Sequence, residues 1–301
     1  MKTQTSAALA WGGVLLAGVL WGVGALVAQS VMAGGMAPYS LSLARFALGL
    51  PLLWWWHWRR LPAAPRTAQW RHLPGRGKAL VMGTGLAMAL NVTSWFIAMS
   101  HIGAALPTVI SICCAPVIVA LLSVLRAYER ASGRLLLALG LALAGVGLIA
   151  MPGEGLSLPA HYAAGLAWSL ASAGLYSLVV LGNARMPAQL PAVTASAWSM
   201  SAAALLMLGL AVAQGITWPQ HTTAWLQVGY TGIFTTSIAY LAFAWGARRL
   251  SPTATVIGTL VEPLVAAVAA AWLLAEPLSA QQGVGALLLG AAMVVLARRG
   301  A

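Results

Sequence analysis

Residues 250–275 read LSPTATVIGTLVEPLVAAVAAAWLLA. About twenty of them are apolar, roughly the number needed to cross a hydrocarbon core of about 30 Å. Near the middle stands Glu262, followed by Pro263. A carboxylate at that depth is costly in lipid and should face protein or a water-filled cavity. The proline removes one helical hydrogen bond and predicts a kink beside the acid. A kinked spanning helix with a central acid is a common way to build a transport site.

The rest of the chain has the same character. Of 301 residues 61% are hydrophobic and 7% charged, and the mean hydropathy is +0.88. Apolar runs fill nearly the whole length, which predicts an all-α polytopic membrane protein. Ten spans are expected, at 7–29, 38–58, 79–100, 104–125, 133–151, 161–182, 190–213, 222–246, 252–274 and 279–297. The first run is too long for a secretory leader, and at least nine more follow it. Cys113 and Cys114 are adjacent in an apolar run and read as reduced core residues.

The basic residues test this count. With the first segment on the cytoplasmic side, fifteen of the sixteen Lys and Arg fall in cytoplasmic segments. The exception, Arg45, lies within the second span. This is the positive-inside pattern, and it predicts an inner membrane protein with both termini cytoplasmic. The net charge of +12 then records topology and gives no reason to expect a nucleic-acid partner. Trp54, Trp55, Trp56 and Trp58 crowd beside Arg59 and Arg60 as an interfacial belt; Trp11 and Trp245 fall at the same interface, Trp218, Trp225 and Trp272 at the other.

An internal repeat is legible. Pro116 and Pro263 are 147 positions apart, as are Glu129 and Glu276, and Ser132 and Ser279. Thr108-Val109-Ile110 matches Thr255-Val256-Ile257 at the same lag, and Gly18 and Trp21 match Gly165 and Trp168. The predicted units are 1–151 and 152–301, with five spans each. An odd number forces the copies into opposite orientations, so the repeat is inverted.

Inverted repeats set substrate sites where their halves meet. Helical spacing gives the ninth span a face of Thr255, Gly258, Thr259, Glu262 and Ala266, and the fourth span a face of Thr108, Ser111 and Ala115. Asn91 and Trp95 share a face of the third span with Thr84 and Met88. Tyr240 and Phe243 share one of the eighth span with Ile233, Thr236 and Ser237. The candidate substrate-binding residues are therefore Glu262, Asn91, Trp95, Tyr240, Thr259, Ser111, Phe243, Trp21 and Trp168, with Pro116 and Pro263 as kinks. Each also has a plainer reading. Small polar residues are ordinary helix-packing glue, the tryptophans can be packing, and Glu262 can be a neutral structural acid bonded to a carbonyl freed by Pro263. Arg45 reads as structural, snorkelling outward or bonding helix ends.

Other function classes find less support. The five histidines sit near span ends without metal-ligand spacing, and neither HExxH nor GxSxG occurs. The sequence contains no Asp, which removes Asp-based triads and dyads. No metal and no cofactor are implied, and no enzymatic activity is expected. A single intramembrane arginine argues against phosphate-bearing substrates. An intramembrane enzyme or a structural membrane subunit is the remaining alternative of a different class.

The segments AMSHIGAALPTVISICCAPVIVALLSVLRAYERAS and AWGARRLSPTATVIGTLVEPLVAAVAAAWLLAEPLSA resemble the two copies of the EamA domain. They share a small-residue start, a mid-span proline (Pro116, Pro263), a helix-end glutamate (Glu129, Glu276) and a glycine-rich final span. Trp21-Gly22 and Arg45 also fit. The resemblance covers essentially the whole chain and implies the drug/metabolite transporter superfamily, with ten spans and export of small metabolites. The aromatic-lined central spans are similar to bacterial aromatic amino-acid exporters of the YddG type; other small metabolites and organic cations are the alternative. Spans one to four and six to nine are expected to surround a central apolar cavity, with five and ten bracing them. The partners expected are the bilayer and a small-molecule substrate, with proton exchange at Glu262 as a coupling the acid offers.

Overall fold

Pro263 decides the shape of the opening stretch. It has no N–H to give the Thr259 carbonyl, and its ring cannot sit over that carbonyl in an unbroken helix. In the computed structural model the stretch is two helices, Pro252–Gly258 and Val261–Leu273, interrupted at Thr259 and Leu260. The Thr259 carbonyl instead accepts the Glu262 N–H at 2.9 Å. Ser251 caps the first helix by accepting the Ala254 N–H at 3.2 Å, and Pro252 occupies the first turn, where a missing donor costs nothing.

The structure describes residues 2–60, 70–102, 105–127, 130, 132–150, 161–273 and 280–297. Glu129, Glu154 and Glu276 lie outside these residues, as do the side chains of Cys113 and Trp272. Cys114 is a free, half-buried thiol. Among the described residues there is no strand. The helices are α1 (Lys2–Ala33), α2 (Pro38–Arg60), α3 (Gly75–Ile102), α4 (Ala105–Leu125), α5 (Gly133–Ala150), α6 (Tyr162–Ala184) and α7 (Ala192–Gln214). Then come α8 (Thr222–Tyr230), a π-helical segment (Thr231–Ile238), α9 (Ala239–Ala247), α10 (Pro252–Gly258), α11 (Val261–Leu273) and α12 (Ala280–Ala297). The α8, π and α9 segments run on as one rod, and α10 with α11 make another, so the described residues form ten long rods.

Among the described residues four stretches suffice by length and composition to cross a bilayer: Ala7–Ala33, Gly75–Ile102, Tyr162–Ala184 and Ala192–Gln214. Shorter apolar helices include Cys114–Leu125, Gly133–Gly145, Pro252–Ala266 and Gly283–Ala292. The outer surface suits lipid, with Leu226 73% and Leu287 76% exposed.

The eighth rod departs from the uniform helix expected of it. Its π segment is tied by its own hydroxyls. Thr235 and Thr236 both donate to the Thr231 carbonyl, and Ser237 donates to Gly232 and, at 2.6 Å, to Gly49 on α2. The bonds from Thr236 and Ser237 span five residues, the repeat of a π-helix.

The packing is paired. The third rod packs on the sixth as the eighth packs on the first, and the fourth packs on the sixth as the ninth packs on the first. The second with the seventh, and α5 with α12, are pairs that map onto themselves. α1 approaches the interruption closely through two glycines one turn apart. A Cβ on Gly18 would come within 2.5 Å of Val261, and one on Gly22 within 2.5 Å of the Glu262 carbonyl. Small residues at this spacing let helix backbones meet. Gly22→Val should therefore lower the unfolding midpoint in detergent, with a loss of about 1–3 kcal/mol from overpacking. A midpoint equal to wild type would show that α1 can yield here.

Candidate functional site

The packing of α1 against the interruption leaves a cavity of about 90 Å³ beside Glu262. Its wall is built by seven rods. α1 gives Trp21 and Gly24, α2 gives Arg45, and α3 gives Met88, Asn91, Val92 and Trp95. α4 gives Thr108, Ser111 and Ala115, and α6 gives Ser172 and Tyr176. The π segment gives Thr235, and the ninth rod gives Val256, Thr259, Leu260 and Glu262. α5 and α12 pack on one another away from it, and α7 contributes nothing to the lining.

Of the residues singled out in the sequence, the cavity brings together Trp21, Asn91, Trp95, Ser111, Thr259 and Glu262. Tyr240, Phe243 and Trp168 lie outside it. Tyr240 is buried and accepts a hydrogen bond from Asn183 Nδ2 at 3.3 Å. Phe243 is buried behind Trp21, with ring centroids 5.3 Å apart. Thr235, within the π segment, is the residue of the eighth rod that lines the cavity. Trp168 is 39% exposed. The inward face of α6 is Ser169, Ser172 and Tyr176, and Trp168 is one residue off it. Pro116 lies buried inside the unbroken α4, whereas Pro263 follows the interruption.

Most polar wall groups satisfy one another. Ser172 donates to Asn91 Oδ1 at 2.8 Å, Trp95 Nε1 to Thr108 at 3.2 Å, and Ser111 to the Ser169 carbonyl at 3.1 Å. The Tyr176 hydroxyl meets the Thr259 hydroxyl at 2.9 Å. Trp21 Nε1 donates to the Thr235 carbonyl at 2.8 Å.

Arg45 corrects the sequence reading. It neither snorkels nor bonds a helix end; it is 5% exposed and turned into the cavity wall. Its Nε donates to Thr236 Oγ1 at 3.0 Å and its Nη2 to Thr235 Oγ1 at 3.1 Å. The guanidinium carbon stands 5.7 Å from the ring centres of Phe46 and Phe96. Arg45 and Glu262 interact electrostatically, but among the described residues no hydrogen bond joins them. Sequence reasoning missed this role because it treated a lone intramembrane arginine as anchored at the interface. It also passed over Ser172 and Tyr176, whose i, i+4 spacing on one face of α6 was available. Among the described residues no group of three or more His, Cys, Asp or Glu could hold a metal ion.

The model of the EamA-like transporter family matches this chain twice, over residues 8–151 and 163–298. The chain belongs to the EamA-like transporter family. It is also similar to an uncharacterized transporter, YwfM, of Bacillus subtilis, being 27% identical over 286 residues that cover 94% of this chain and 92% of that protein. A solved crystal structure superposes with a TM-score of 0.76 at 18% identity, covering 98% of both chains, and so shares the fold. The EamA-like family makes the protein a membrane transporter of small molecules, embedded by several spans.

Proposed function

We propose that this transporter exports amino acids across the bacterial inner membrane by alternating access. The observation that carries the proposal is the presence of a half-buried acid and a buried arginine on one cavity wall, with most of the other polar wall groups bonded to one another. Glu262 receives the substrate ammonium group, or exchanges a proton as the empty carrier resets. Trp21, Trp95 and Tyr176 offer aromatic faces for a side chain.

The halves 1–151 and 152–301 are read as inverted copies that rock about the cavity, with both termini in the cytoplasm. The doubled family match, the matched packing pairs and the placement of basic residues support that reading. A cavity of about 90 Å³ is smaller than the roughly 150 Å³ that accommodates a benzene ring in an engineered protein core. An aromatic substrate therefore requires the cavity to widen during the cycle.

The test is uptake of labelled amino acids into proteoliposomes, with and without a pH gradient. Tryptophan, phenylalanine and alanine are the candidates, and a dicationic aromatic compound is the control. Saturable amino-acid uptake is the expected result, with the aromatic ones preferred. Uptake of the dication alone would move the reading to organic cations. A folded protein that takes up none of them would sink the amino-acid reading.

A further inference from the structure

We infer that Arg45 is the docking point for a substrate carboxylate, so that the cavity selects zwitterions through both charges of the head group. This rests on the reading of Glu262 as the ammonium partner and adds the second half of the site. Arg45 is almost wholly buried, and a guanidinium offers five N–H donors and no acceptor. Two hydroxyls of the π segment hold its Nε and Nη2, which fixes the plane of the fork. Its Nη1 carries no hydrogen bond among the described residues, and Arg45 is itself part of the cavity wall. A planar guanidinium held at one edge with another edge open is matched by a carboxylate, which accepts two parallel N–H bonds.

Glu262 faces the same cavity and feels Arg45 electrostatically, yet the two form no direct bond among the described residues. A buried charge without a close partner is costly. A molecule carrying a carboxylate and an ammonium one carbon apart supplies both missing partners at once and leaves no net charge in the cavity. A simple amine would satisfy Glu262 and leave Arg45 unanswered; a simple carboxylate would do the reverse. Of the other wall groups, Ser172 is bonded to Asn91 Oδ1 and Tyr176 to Thr259, and Asn91 Nδ2 meets the Met88 sulfur at 3.9 Å.

The experiment compares ligands before it touches the protein. Purified wild type in nanodiscs is titrated with two triplets: L-alanine, ethylamine and propionate, then L-phenylalanine, 2-phenylethylamine and 3-phenylpropionate. The expected result is that one amino acid binds at least roughly tenfold tighter than its own amine and its own acid, about 1.4 kcal/mol. Arg45→Gln should erase the preference for amino acid over amine while binding of the amine persists, and Arg45→Lys should restore part of it. An amine that binds wild type as tightly as its amino acid would overturn the role of Arg45 and leave the cation reading of Glu262 standing. No binding of any of the six by protein with an intact melting transition would overturn the amino-acid reading and this inference with it. Should the Arg45 variants fail to fold, the wild-type comparison alone decides.

Discussion

Glu262→Gln, reconstituted in liposomes, is expected to take up amino acids at roughly a tenth of the wild-type rate or less, and to lose any response to an imposed pH gradient. The amide keeps the shape and volume of the carboxylate but can neither pair with an ammonium group nor carry a proton. A hydrogen bond to a charged group contributes about 1.5–3 kcal/mol, which corresponds to a tenfold to hundredfold change in occupancy. The fold should tolerate the change, because no hydrogen bond of the Glu262 side chain within the described residues is lost; the bond that shapes the interruption comes from its backbone N–H to Thr259. Two groups feel the acid electrostatically, Arg45 from α2 and Tyr176 from α6. Of these three groups the acid is the one placed to exchange a proton with the cavity, since the Tyr176 hydroxyl is engaged by Thr259 and a guanidinium keeps its proton. The check is initial uptake rate against internal and external pH, with a melting curve on the same preparation. Uptake by the glutamine variant at the wild-type rate and with the wild-type pH response would remove Glu262 from the transport cycle.

The sequence made the general architecture plain, and the reasons are physical. A spanning helix must bury a long apolar run and satisfy every backbone group internally, so its signal is long and strong. The ten expected runs correspond to the ten rods, and the acid at the proline was visible because charges are so rare in this chain. The site was harder to read where it depends on departures from regular helix. Spacing arguments assume about 3.6 residues per turn, and the π segment breaks that assumption between Thr231 and Ile238. Tyr240 and Phe243, singled out on α-helical spacing, lie outside the cavity, whereas Thr235, not singled out, lines it. Three hydroxyls in the run TTS were the available hint, because they can hold carbonyls that an α-helix would use itself. Arg45 was misread for another reason. Whether a long cation snorkels or turns inward depends on whether acceptors wait inside, and those acceptors are supplied by a rod nearly two hundred residues away in the chain. No local pattern carries that information.

The same dependence gives the largest expected effect on stability. The double variant Thr235→Val, Thr236→Val keeps the side-chain shapes but removes both hydroxyls that accept from Arg45. Two hydrogen bonds to a buried charge are worth about 1.5–3 kcal/mol each, so the loss should be on the order of 3–5 kcal/mol after relaxation. The hydroxyls also bind the Thr231 carbonyl, so a fall in stability alone would not separate the charge from the π segment. Adding Arg45→Met does separate them. Replacing a buried charge by an apolar side chain of similar size is often neutral or stabilising, so the triple variant should recover much of what the double variant lost. The three-way comparison of unfolding midpoints, with Arg45→Met alone as the fourth corner, isolates the coupling between α2 and the eighth rod. Additive losses would mean that the hydroxyls serve only the π segment. A triple variant more stable than the sum of the double-variant and Arg45→Met effects would mean that this rod is shaped to hold a guanidinium at the cavity, and that the irregular helix and the buried charge form one device.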